Sequence, residues 1–134
     1  MPLTPETAPT PPPATVVADF LAAFFSGDIA RARTAVSEDF SFRAPLMTTG
    51  GTEAEFFAGA ERKTELIQDF RILRLWEDGD EVSCVYEIDV RTPAGHASML
   101  LHEWHVVREG RVAETTMIFD TQAQAAHLIH DALR

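Results

Sequence analysis

His102 and Tyr86 carry the side chains best suited to proton chemistry in this chain. An imidazole titrates near neutrality, so His102 can serve as base or acid. Tyr86 and Thr115 have hydroxyls that can donate to a developing oxyanion. A core histidine bonded to a neighbour is the competing reading of His102. Other groupings weaken when spacing is considered. His102 and His105 are three apart on a strand and point to opposite faces, so they cannot share a metal. His127 and His130 are three apart on a helix, with only Asp131 beside them as a further ligand. A solvated helix face is expected there, and no metal site. No glycine-rich phosphate loop or Gly-x-Ser-x-Gly elbow occurs, and no cofactor is expected. Cys84 is the single cysteine, so an intramolecular disulfide is impossible and a buried, inert thiol is expected.

The elements that must position these residues follow from periodicity. Val17, Phe20, Leu21 and Phe24 recur at helical spacing and predict a helix over 14–26, stopped by Gly27. Asp28 caps a short second helix through Val36. Phe40 and Phe42 suggest a short strand, and Pro45 with Gly50-Gly51 a loop. Thr52 and Glu55 form a capping box, opening a helix over 53–66 that Gly59 can interrupt. The period then becomes alternating. Strands are predicted over 70–77, 81–92, 96–108 and 111–119, separated by Asp78-Gly79-Asp80, Pro93-Ala94-Gly95 and Glu109-Gly110. Thr121 and Gln124 fit a second capping box, opening a helix to about Leu133, and Asp120 is a further cap candidate. Helices followed by a meander argue an α+β fold with an antiparallel sheet.

The turns set a register. One face collects Cys84, Tyr86, Ile88, Val90, Leu100, His102, Trp104, Val106, Thr115, Met117 and Phe119. The other collects Val85, Glu87, Asp89, Met99, Leu101, Glu103, His105, Glu114, Thr116 and Ile118. The first is more apolar and is expected to cover the helices. The mixed second face suits a homodimer interface or solvent. A slip of one residue would exchange the two faces.

The 134 residues suit one domain over 14–134. Residues 1–13 hold six of the eight prolines and read as a disordered tail. Eleven basic residues, one of them lysine (Lys63), face twenty-one acidic ones, for a formal charge of −10. Nucleic acid draws its partners through Lys/Arg on phosphates, so neither it nor an anionic membrane is an expected partner. No apolar run approaches the ~20 residues of a membrane-spanning helix. No positive segment followed by an apolar one marks a secretory signal, and a cytoplasmic protein is expected.

Several segments together carry a resemblance. They are Phe25-Ser-Gly-Asp28, Ser37-Glu-Asp-Phe-Ser-Phe-Arg-Ala-Pro45, Asp78-Gly-Asp80, Trp104-His-Val-Val-Arg-Glu-Gly-Arg-Val112 and Ile118-Phe-Asp120. In this order and spacing the chain resembles the SnoaL-like group of the nuclear-transport-factor-two-like superfamily, over residues 14–124. The resemblance implies a cone: a strongly curved sheet wrapped around three helices and enclosing a pocket, with dimers through the outer sheet face. It leaves the activity open, since the superfamily includes cyclases, isomerases, epoxide hydrolases and binding modules. The tyrosine, base and oxyanion aspartate of ketosteroid isomerases match Phe20, Ala44 and His102, and all three differ. The charged set of limonene epoxide hydrolases falls near Tyr86, Cys84 and Met117, none of which matches. Cyclase-type chemistry needs proton removal beside a carbonyl, which the resemblance implies for His102 with Tyr86.

The expected pocket is lined by Phe20, Phe24, Phe42, Phe57, Tyr86, His102, Trp104, Thr115 and Met117. Arg43 stands either at its mouth or on the surface. Such a lining suits a small apolar molecule with one carbonyl or hydroxyl. The alternative is a noncatalytic ligand-binding or dimerisation module.

Overall fold

The computed structural model describes residues 10–47 and 50–134. Most of the expected proline-rich tail lies outside the described residues. Helix α1 (Pro13–Phe25) starts on a proline at its first position, where a missing N–H is no loss. Val17, Phe20, Leu21 and Phe24 are buried along one face, as the spacing predicts. The helix ends where Gly27 takes φ +86°, a left-handed conformation that suits glycine. There the Asp28 N–H donates to the Ala23 carbonyl at 3.0 Å and the Gly27 N–H to Phe24 at 3.1 Å. This closes the last carbonyls of α1. Asp28 then accepts from the Arg31 N–H at 3.2 Å and caps α2 (Ile29–Thr34). Helix α2 stops before Val36, which instead opens β1 (Val36–Arg43).

After β2 (Gly51–Thr52), the capping box forms as expected. Thr52 Oγ1 accepts from the Glu55 N–H, and Glu55 Oε1 accepts from the Thr52 N–H, both at 3.2 Å. The expected helix divides into α3 (Glu53–Phe57) and α4 (Ala60–Glu65) at Gly59, whose φ is +70°. Then come β3 (Ile67–Asp78), β4 (Glu81–Thr92), β5 (Gly95–Arg108), β6 (Arg111–Ile118) and α5 (Gln124–Ala132). The capping box expected at Thr121 is absent. Ala123 is the N-cap residue, and the Asp120 carboxylate accepts from the Gln122 N–H at 2.9 Å, tightening the turn ahead of the helix.

The fold is α+β, as expected, but its six-stranded sheet is mixed. The order is β2-β1-β6-β5-β4-β3, with β1 parallel to β6 and the remaining pairs antiparallel. The whole meander separates β1 from β6, which supplies the long crossover that a parallel pair requires. Helix α1 packs on β3 to β6, and α5 rests on β4 and β5.

The register corrects the expected faces. Thr92 pairs with Gly95 across a two-residue turn, Pro93-Ala94, rather than across three residues. That difference turns β5 over. Met99, Leu101, Glu103, His105 and Val107 face the helices, while Leu100, His102, Trp104 and Val106 face outward. A bulge then shifts the β5–β6 pairing between Val106 and Val107. Val112 and the adjoining Ala113 are both buried there. The extra residue restores the inward direction of Thr115 and Met117, opposite His105 and Glu103.

Gly51 touches this inward face directly. A Cβ at that position would collide with the Phe42 ring. Gly51→Ala is therefore expected to displace Phe42 and destabilise the fold by about 1–3 kcal/mol, as overpacking does. The midpoint of urea unfolding measures it.

Candidate functional site

The inward residues of the sheet and the helices laid over them enclose a cavity of about 380 Å³. Helix α1 contributes Phe20, Leu21, Phe24 and Phe25, and the sheet Phe42, Tyr86, Ile88, Met99, Leu101 and Met117. Phe56 of α3 is the aromatic hub, within 5.0–6.1 Å (ring centroids) of Phe20, Phe24, Phe40, Phe42 and Phe57. Helix α5 closes one side with Ala126, Ile129 and His130, joined by its C-cap residue Leu133. The Arg62 guanidinium of α4 donates to the Ala132 carbonyl at 2.9 Å and fastens the end of α5.

One buried carboxylate opens on this space. Glu103 is 3% exposed and lines the cavity. The Tyr86 hydroxyl donates to its Oε2. Its Oε1 lies 3.1 Å from His105 Nε2, off the direction of a good hydrogen bond, so the attraction there is electrostatic. His105 Nδ1 is 2.8 Å from Thr115 Oγ1. The tautomer that suits both ends has Nδ1 accepting from the Thr115 hydroxyl and the proton on Nε2, toward Glu103. Strand geometry makes this set. Glu103 and His105 are two apart on one face, Thr115 pairs directly with His105, and Tyr86 lies diagonally from Glu103.

Burial, reinforced by the Glu103 charge, pushes the Tyr86 phenol well above its ordinary value. It remains a protonated donor at neutral pH. Cys84, paired with Glu103 across the ladder, is likewise pushed up to about 12, mainly by burial. A nucleophilic thiolate is thereby disfavoured.

Of the residues expected at a pocket, Phe20, Phe24, Phe42, Tyr86 and Met117 line the cavity. Thr115 faces inward but sits behind His105. Phe57 turns into the core, with the Arg33 guanidinium 5.0 Å from its ring centre, and the neighbouring Phe56 takes the cavity wall. His102 and Trp104 lie on the opposite face of the sheet, for the register reason given above. His102 Nε2 is 2.6 Å from Ser83 Oγ, and Trp104 is 51% exposed with its indole N–H donating to Glu81. Ala44 lines the cavity and Arg43 does not. Glu103 and His105, read from the sequence as outward, both face inward; Glu103 lines the cavity floor and His105 is buried beside it. Among the described residues, no group of three His, Cys, Asp or Glu is placed to hold a metal ion. None of their helices is long and apolar enough to cross a membrane.

Tyr86→Phe removes a donor from a buried carboxylate and is expected to cost about 1–3 kcal/mol in urea unfolding. The raised values of Tyr86 and Cys84 mean that the folded state holds protons the unfolded state releases. Their contribution is complete below the unfolded values and falls as pH rises above about 9. Stability should decline through that alkaline range, less steeply in Tyr86→Phe and Cys84→Ala than in the wild type.

The SnoaL-like domain family matches residues 17–115 of the chain. Among curated proteins no sequence match is significant. Three solved structures illustrate the likeness in fold. A Mycobacterium tuberculosis epoxide hydrolase of the LEH-like kind has 15% identity and a TM-score of 0.72, covering 90% of this chain and 92% of its own. TerC co-crystallised with polyporic acid has 20% identity and a TM-score of 0.70, covering 90% and 99%. A hypothetical protein from Catenulispora acidiphila with a ketosteroid isomerase-like fold, in complex with trimethylamine, has 11% identity and a TM-score of 0.69, covering 86% and 92%.

Proposed function

Since the chain belongs to the SnoaL-like domain family, we propose that it binds a small apolar, carbonyl-bearing molecule and moves a proton at the carbon beside that carbonyl. One observation carries this reading: a buried carboxylate, held by a phenol and an imidazole, faces the apolar inner part of the cavity. Glu103 takes the role first considered for His102. Its carboxylate accepts the proton, and the electron pair of the broken C–H bond moves onto the carbonyl oxygen. The Tyr86 hydroxyl then turns its hydrogen bond from Glu103 to that oxygen. Return of the proton from Glu103 to a different carbon of a conjugated enolate completes an isomerase-type reaction; attack of the enolate carbon on a second carbonyl, with the Glu103 proton passing to the new alkoxide, completes a cyclase-type one. His105 positions Glu103 from behind, with Thr115 fixing the ring. The related fold of TerC supports a cavity of this kind taking a small organic ligand.

We also propose that the outer sheet face pairs two copies of the chain. Trp76, Leu100, Trp104 and Ile118 are 51–55% exposed on the strands, an apolar group that a second copy would cover. A cytoplasmic setting suits the one free, buried cysteine.

The catalytic reading is tested with 2-tetralone in D₂O, following loss of its α-proton signals by NMR and its binding by thermal shift. Glu103→Gln should slow enzyme-dependent exchange about 10²–10⁴-fold, while His102→Ala leaves it unchanged. Full exchange in Glu103→Gln would overturn the assignment. Binding by the wild type without exchange would leave a noncatalytic module. For the pairing of copies, light scattering should give twice the monomer mass for the wild type, and the monomer mass for Leu100→Glu with Trp104→Glu. A monomeric wild type would exclude it.

A further inference from the structure

The cavity has a charged mouth as well as a charged floor. Four ionisable side chains besides the Tyr86 phenol line it: Glu55, Lys63, Glu103 and His130. Glu103 is engaged at the floor, and Glu55 is committed to the Thr52 capping box. Glu55, Lys63 and His130 are exposed as residues, which marks the side that opens to solvent. Among the described residues, neither the Lys63 ammonium nor the His130 imidazole has a hydrogen bond or ion pair. Lys63 belongs to α4 and His130 to α5, and the bond from Arg62 to the Ala132 carbonyl holds these two helices together beside the opening.

Lys63 is the only lysine in a chain of formal charge −10. Its side chain is exposed to solvent on one side and lines the cavity on the other, and partial burial there pulls its pKa below the ordinary value. A cation that lines an apolar cavity and has no partner is poised for an arriving anion, which would supply one through a charged hydrogen bond. A neutral ligand would leave it uncompensated.

We propose that the molecule taken by this cavity is a monoanion, an apolar keto acid whose carboxylate meets Lys63, with His130 alongside, at the mouth. Its apolar body lies against the phenylalanines, and its carbonyl end reaches Glu103. Lys63 thus determines specificity and holds the reacting end at the floor. The inference rests on the cavity being the ligand site and names the class of ligand it takes.

Matched probes test it: 2-naphthoic acid and its methyl ester, with affinities measured by calorimetry on the full chain. The wild type should bind the acid about tenfold or more tighter than the ester, the size of one charged hydrogen bond. Lys63→Met should abolish that preference, chiefly by weakening the binding of the acid, and Lys63→Arg should keep most of it. Lys63→Gln repeats the comparison should the methionine variant fail to fold. Equal binding of both probes to the wild type, or a preference that survives in Lys63→Met, overturns the inference and leaves the ligand cavity standing. Failure of both probes to bind the wild type removes the cavity reading and this inference together.

Discussion

A carboxylate held in an apolar interior must be solvated by the protein itself, and Glu103 imposes that demand here. Tyr86, His105 and Thr115 answer it, and each comes from a different position in the β4–β5–β6 ladder. The set exists only in one register. Slipping β5 by one residue would bury His102 and Trp104, send Glu103 and His105 into solvent, and leave the Tyr86 hydroxyl without an acceptor. The two-residue turn at Pro93-Ala94 and the bulge at Ala113 are therefore as much part of the site as the groups that touch the cavity.

The two faces of the sheet solve different problems. Inside, phenylalanines from α1, β1 and α3 gather around Phe56, and their tilted and edge-on rings leave space rather than filling it. Outside, Arg71 on β3 bridges Asp69, Glu87 and Asp89. Its guanidinium, followed by the Ser98 hydroxyl, holds the Asp89 carboxyl below its ordinary value. These pairs are half-buried at most and contribute modestly to stability, but they mark that end of the sheet as polar. Leu100 pairs with Glu87 at the border of this cluster, and Trp76, Trp104 and Ile118 lie farther along the strands, so the face changes character along its length.

Much of this architecture was legible because it is written in local patterns. The stripe of Val17, Phe20, Leu21 and Phe24, the stop at Gly27, the cap at Asp28 and the Thr52–Glu55 box act over a few residues and appear in the structure as expected. The alternation of Val82, Cys84, Tyr86, Ile88 and Val90 located the inward face of β4. The site was harder because it depends on pairing between strands. Pro93-Ala94-Gly95 reads equally as a turn of two or three residues, and that single ambiguity exchanged Glu103 and His105 for His102 and Trp104. Thr115 and Met117 still face inward because the unforeseen bulge offset the misread turn. The part played by α5 was hidden for another reason. A short amphipathic helix reveals which side is apolar, but not which opening it covers.

Cys84 gives the molecule an internal timer. Its sulfur is fully buried on β4 beside the Glu103 ladder position, and its high pKa keeps it a thiol. Alkylating reagents react with thiolate and must reach it, so modification has to wait for these central strands to part. The pace of labelling in an unmodified sample thus follows the opening of the strand pair that holds Glu103. Anything that occupies the cavity and steadies that pair would lengthen the wait, with no dye or label added to the chain.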